Sequence, residues 1–192
     1  VLAFSARARS SRAAAAAVLS DGTLVVVRRS ISVNDFTGER DEQTARWQIP
    51  APEGVTRLVL DSDQRQLYGA DASGALYWWE LTDDGVHSPR VFDTGAPVSA
   101  LSLLVGGRSV VVGGENGDLS VWFRVQSGRA HAELVRAHEI ASQGAAIRAI
   151  APSWRKRTFA ALGADGSIGL YHSTSERTLW RGATGGATPQ AA

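Results

Sequence analysis

Apolar residues in this chain come in short runs, each closed by a turn signal rather than by a continuing helical stripe. Four runs are followed by a small polar residue and a glycine, then by a second apolar run. The glycine-led segments are Asp21-Gly22-Thr23-Leu24-Val25-Val26-Val27, Ser73-Gly74-Ala75-Leu76-Tyr77-Trp78-Trp79, Asn116-Gly117-Asp118-Leu119-Ser120-Val121-Trp122 and Asp165-Gly166-Ser167-Ile168-Gly169-Leu170-Tyr171. Asp-Gly, Asn-Gly and Ser-Gly tolerate the positive φ that a tight hairpin needs. Each turn is preceded by a run that reads as a strand: Ala14–Leu19, Gln66–Ala70, Ser109–Gly113 and Thr158–Leu162. Before these stand Val55–Leu60, Val98–Leu104 and Ile147–Ala151, with Val1–Ser5 a weaker match. Less apolar fourth strands are expected at Ala45–Ile49, His87–Phe92, His131–Val135 and Thr178–Arg181.

The pattern is a repeat. Glycines 22, 74, 117 and 166 are separated by 52, 43 and 49 residues, and Val27, Trp79, Trp122 and Tyr171 stand five positions after them. Four antiparallel strands in a unit of that length have the size of one β-propeller blade. The expected fold is all-β, with blades over about 1–50, 51–93, 97–136 and 145–182 and a flexible tail at 183–192. Val110-Val111-Val112 lacks polar alternation, as suits a strand buried on both faces. A helix competes only at the alanine-rich Arg7–Val18; its place before Asp21-Gly22 favours a strand. Trp79, Trp122 and Tyr171 are expected at equivalent, buried third-strand positions. Four blades are read as part of a larger propeller whose open blade faces seek a partner.

Composition narrows the function. Hydrophobic residues make up 44% and charged residues 20%, with 20 Gly and 6 Pro, an ordinary globular balance. Twenty basic residues against nineteen acidic give a net charge of +1, so no strong field for a polyanion is set up and no nucleic-acid partner is expected. All the basic residues but Lys156 are arginine, which reads as a genome bias. There is no cysteine, hence no disulfide scaffold, and no methionine, which implies a piece of a longer translated chain. The longest wholly apolar stretch, Ala13–Leu19, is far shorter than the roughly 20 residues of a membrane helix.

Candidate chemistry is sparse. His87, His131, His138 and His172 form no close metal-ligand pair, so no metal is expected. The carboxylate pairs Asp61/Asp63, Asp83/Asp84 and Asp41/Glu42 lie in expected turns, where Asp caps its own backbone. Gly106-Gly107 and Gly113-Gly114 lack the helix, Lys and Ser/Thr of a phosphate loop; Gly113-Gly114 is expected to open the turn after its strand. No catalytic residue and no cofactor site emerges, and the chain is not read as an enzyme. Trp154-Arg155-Lys156-Arg157, in an expected strand-to-strand turn, is the candidate interaction surface for a partner protein or acidic lipid headgroups, set against a plain solvated turn.

The unit resembles the WD40 repeat, with the terminal Asp replaced by Glu80, Phe123 or His172. That resemblance implies a structural hydrogen bond from His138, nine residues before Ile147, to Asp165. The final third, through Leu134-Val135-Arg136-Ala137-His138-Glu139, Ile150-Ala151-Pro152-Ser153-Trp154-Arg155-Lys156-Arg157 and Asp165 to Leu179, resembles the WD40-like soluble domain of long proteobacterial permeases of the phosphate-specific ABC transporter. The likeness covers Gly113 to Trp180; the first half matches only as blades. It implies a non-catalytic extramembrane domain of an inner-membrane protein, facing the periplasm. Its partners would be other transporter subunits, the periplasmic phosphate-binding protein, or another copy of itself. Direct phosphate binding is not expected. The alternative is a free-standing WD40-like scaffold or regulatory protein unrelated to transport.

Overall fold

The computed structural model describes residues 1–126 and 132–185. Among them are sixteen strands and no helix. The first four are β1 (Ala3–Arg9), β2 (Arg12–Val18), β3 (Thr23–Val33) and β4 (Arg40–Pro50). Next come β5 (Val55–Leu60), β6 (Gln66–Asp71), β7 (Ala75–Glu80) and β8 (Arg90–Asp93). The third group is β9 (Val98–Leu103), β10 (Ser109–Gly114), β11 (Leu119–Gln126) and β12 (Ala132–Ile140). The last is β13 (Ile147–Pro152), β14 (Thr158–Gly163), β15 (Ser167–His172) and β16 (Arg177–Ala183). Each group of four makes its own sheet, with neighbours in the sequence as neighbours in space.

The chain divides into two compact units. One comprises Val1–Ala70 and Tyr77–Val91, the other Asp71–Leu76 and Phe92–Ala192. No helix among the described residues is long and apolar enough to cross a membrane.

The alanine run shows why the strand reading holds at Arg7–Val18. A two-residue turn at Ser10-Ser11 separates β1 from β2, and Ala14 and Ala16 are buried while Ala13, Ala15 and Ala17 are half-buried. That is the period of two that a strand imposes. β1 runs further than the Val1–Ser5 expectation, because it zips against β2 from Ala3↔Val18 to Arg9↔Arg12. β3 and β4 also extend beyond their apolar parts, to a hairpin whose Asn34 Oδ1 accepts from Phe36 N and Thr37 N. Arg29 and Glu42 form a two-pronged ion pair across that extension.

The turns repeat in atomic detail. Gly22, Gly74, Gly117 and Gly166 all have φ between 82° and 102°. In three turns the side-chain oxygen just before the glycine accepts from the backbone N–H just after it: Asp21 from Thr23, Asn116 from Asp118 and Asp165 from Ser167. In the second sheet Asp71, three residues ahead of Gly74, accepts from Ser73 N and Ala75 N on either side of it. Each glycine carbonyl accepts from the chain leaving the fourth strand, from Ala51, Thr94, Gln143 and Thr184, at 2.8 to 3.0 Å. Turn and exit are thus pinned together in every sheet. The last of these bonds lies just beyond β16, which ends at Ala183; the rest of the expected tail, 186–192, lies outside the described residues.

Gly113 and Gly114 close their strand, and Gly114 opens the turn as expected, its carbonyl accepting from Gly117 N at 3.1 Å. Both belong to β10 and are buried. Gly113 pairs with Ala100 and Leu119 and faces Ile147, which is why it carries no side chain.

Candidate interaction surface

The loop between β13 and β14 carries the candidate cluster. Its backbone is held from both ends. Ser153 N donates to Thr158 O at 2.9 Å, and Ser153 Oγ accepts from Arg155 N at 3.3 Å and Lys156 N at 3.2 Å. Buried Ser173 donates both N–H and Oγ–H to Arg157 O, at 2.8 and 3.1 Å. A serine-anchored turn of this kind leaves the side chains nothing to do internally. Trp154 is 86% exposed, and Arg155, Lys156 and Arg157 are exposed beside it. Among the described residues, none of the three cations is paired with a carboxylate.

The three aromatic positions are structural. Trp79 and Tyr171 are fully buried and Trp122 nearly so. Trp79 packs on Gly69, where an added Cβ would stand 2.9 Å from its ring, and Tyr77 tilts over it with centroids 5.8 Å apart. Tyr171 meets Phe159 at 5.5 Å. Val27, in the same register of the first sheet, is half-buried.

His138 does not bond Asp165. It sits inside β12, opposite Val121, edge-on to Phe123, and its Nδ1 lies 3.0 Å from Glu176 Oε1. The WD40 likeness places this histidine in the loop ahead of a first strand, but β12 is long enough to take it into the fourth. Asp165 spends its carboxylate on its own turn, and those hydrogen bonds from Ser167 hold its pKa below the ordinary value. Of the other histidines, His87 Nε2 faces Thr82 Oγ1 at 3.2 Å and His172 Nδ1 faces Ser175 Oγ at 3.0 Å. His131 lies outside the described residues.

No family model matches the chain, and neither does any curated protein.

Asp41 and Glu42 lie within β4 and not in the expected turn, because the β3–β4 ladder runs on to Arg40. Of the other carboxylates considered above, Asp61 caps its own turn while Asp63 and Asp83 reach arginines distant in sequence. Asp61 Oδ1 accepts from Arg65 N and Gln66 N, Asp63 pairs with Arg9 at 3.4 Å, and Asp83 with Arg28 at 2.6 Å. Among the described residues no three metal-ligating side chains converge.

Arginine stacking is the feature the sequence reasoning missed. In every sheet a guanidinium lies over a ring: Arg28 on Trp47 at 5.2 Å, Arg90 on Trp78 at 4.8 Å, Arg136 on Trp122 at 5.1 Å and Arg181 on Tyr171 at 5.9 Å. Two of these arginines also tie down the segment that enters their sheet. Arg136 donates to Thr94 O, and Arg181 donates to Ala141 O and Ser142 O, each at 2.9 Å. A planar guanidinium can stack and donate in its plane at once, which an ammonium cannot. In the last three sheets the signal is an arginine on the fourth strand, ten to fourteen residues beyond a third-strand aromatic; in the first sheet the roles are reversed, with Arg28 on the third strand and Trp47 on the fourth. Arginine abundance read as genome bias hides it.

Proposed function

We propose that this chain is a non-catalytic interaction module built of WD40-like propeller blades. In its fuller form the proposal makes it the extramembrane, periplasm-facing domain of a phosphate ABC-transporter permease. The blade reading is supported by four consecutive four-stranded antiparallel sheets with the same turn glycine and the same exit bond, and by the fourth-strand arginine stacked on a third-strand ring in the last three of them. The transporter part rests on the residue likeness between Gly113 and Trp180.

The observation that carries the interaction reading is the β13–β14 loop. An indole and three cations project from a backbone that is already fixed, so binding through them loses little conformational entropy. Trp and Arg are also the residue types that dominate binding hot spots. An acidic protein surface is the complementary partner, and the periplasmic phosphate-binding protein is the natural one for a permease domain.

The test is titration of a periplasmic phosphate-binding protein into this domain by calorimetry. Binding that is lost in the Trp154→Ala/Arg155→Ala/Arg157→Ala variant supports the proposal. Free phosphate at micromolar to low-millimolar concentration should give no heat. A saturable phosphate isotherm abolished by Arg155→Ala would make the domain a phosphate sensor instead. No binding to any transporter component would leave the free-standing scaffold as the better reading.

A further inference from the structure

The third and fourth sheets stack with a definite sense. Val111, Leu119 and Val121 of the third sheet share one buried core with Ile147, Phe159 and Tyr171 of the fourth, and Gly113 receives Ile147 directly. A sheet therefore has a receiving face, like that of the third, and an inserting face, like that of the fourth.

The registers carry these faces over to the two sheets that end the series. Leu170 pairs with Ala160 as Val121 pairs with Val111, and Ile168 follows Gly166 as Leu119 follows Gly117. Ala160, Leu162, Ile168 and Leu170 are thus the receiving face of the fourth sheet. It is uncovered: Leu170 is 37% exposed, and Trp180, its cross-strand partner, 53%.

In the first sheet Val27 pairs with Ala15 as Tyr171 pairs with Phe159, so Ala15, Ala17, Val25 and Val27 are its inserting face. None of the four is buried, and Phe4 and Ala6 extend the face outward. The opposite, receiving face of that sheet is buried at Ala16, Val18, Leu24 and Val26. On that side Ser5 Oγ accepts from Leu60 N of β5 and Arg7 Nε donates to Leu60 O.

We infer that the fourth-sheet face of one copy docks on the first-sheet face of a second copy. The occupant is specified by the contact the third and fourth sheets already make: receiving faces take inserting faces, and the same molecule carries a bare receiving face on its fourth sheet and a bare inserting face on its first. Their relief also fits. The first-sheet face is floored by alanine and holds a shallow depression of about 410 Å³ lined by Ala6, Ala8, Ala13, Ala15, Val27 and Arg29. The fourth-sheet face presents Leu170 and Trp180. Bulk meeting absent bulk is what Gly113 and Ile147 already do. Two different patches meet, so the contact is heterologous and builds rings or open chains rather than a two-fold dimer. This inference uses neither the β13–β14 loop nor the transporter reading.

Sedimentation velocity over a concentration series tests it. The wild-type chain should show reversible self-association. Leu170→Glu, which damages one face, and Ala6→Glu, which damages the other, should each weaken it at least tenfold. Both positions are exposed, and an unchanged thermal melt and circular dichroism spectrum show that each variant has folded. Should either fail that check, Trp180→Glu or Ala8→Glu, also exposed, replaces it. Mixed one to one, the two variants should form a dimer, since each retains the face the other lacks. A wild-type chain monomeric at every concentration overturns the inference. So does a single variant that self-associates like wild type, or a mixture that stays monomeric.

Discussion

Gly113 on β10 and Ile147 on β13 fit so closely that a Cβ on the glycine would stand 2.7 Å from the isoleucine Cγ2 and 2.8 Å from its Cβ. The isoleucine is fully buried and its Cβ is part of the strand, so it has nowhere to turn. Gly113→Ala is therefore expected to destabilise the fold by about 1–3 kcal/mol, the usual cost of overpacking. Ile147→Ala in the same chain should recover part of that loss. A denaturant-midpoint double-mutant cycle reads the coupling, and strict additivity of the two changes would rule out the contact.

Trp79, Trp122 and Tyr171 occupy one register in three sheets and are buried in each. Truncation to Ala should cost about 3–5 kcal/mol at Trp79 and Tyr171, with Trp122 at the lower end because its indole Nε1 already reaches Ser120 Oγ near the surface. Thermal melts compare the three directly. Losses below about 1 kcal/mol would mean that these rings do not anchor their sheets.

Burial lifts the pKa of the Tyr171 phenol above its ordinary value of 10.0, against the weaker opposing pull of Arg181. The neutral phenol is thus the form the fold prefers. The stability this contributes is complete below the unfolded-state value and is lost as pH rises through the folded-state value. Unfolding midpoints should fall above about pH 10, and fall less steeply in Tyr171→Phe. Equal slopes for the two proteins would disprove the assignment.

Arg136 both stacks on Trp122 and donates to Thr94 O. Arg136→Lys should cost about 1–2 kcal/mol, because lysine keeps the charge and loses the planar geometry. Exposed Arg124, on the neighbouring strand, supplies the control, and Arg124→Lys should stay within about 0.5 kcal/mol. Chemical denaturation of the pair shows whether geometry or charge matters.

Changing Trp154, Arg155 and Arg157 together to Ala should leave stability within about 0.5 kcal/mol, since all three are exposed and their loop is held by Ser153 and Ser173. A large loss of stability in the triple variant would make the cluster structural and remove it as a docking surface.

Most of the strand plan was legible in the chain itself. Hairpin turns are local: Gly22, Gly74, Gly117 and Gly166 need positive φ whatever surrounds them, and a preceding or following polar residue completes each turn. The register of Trp79, Trp122 and Tyr171 follows from counting along single strands. Where charged and polar residues continue a strand, as in Arg28–Ser30 and Arg40–Thr44, hydropathy runs out before the hydrogen-bonded ladder does, so the apolar runs end short of the strands.

What tertiary structure alone decided is which groups distant in sequence meet. His138 turned from Asp165 to Glu176 because β12 is long enough to hold it opposite Val121, a length no turn signal marks. Gly113, at the end of its strand, is also a packing site, because Ile147, from the next sheet, takes the space its side chain would fill. The arginine spacing is in the sequence, but that the guanidinium and the ring meet is not: residues on different strands come face to face only once the register between those strands is set. Local conformational preference wrote the strands and turns of this protein. Side-chain volume and cross-strand register, which no short window of sequence contains, decided its contacts.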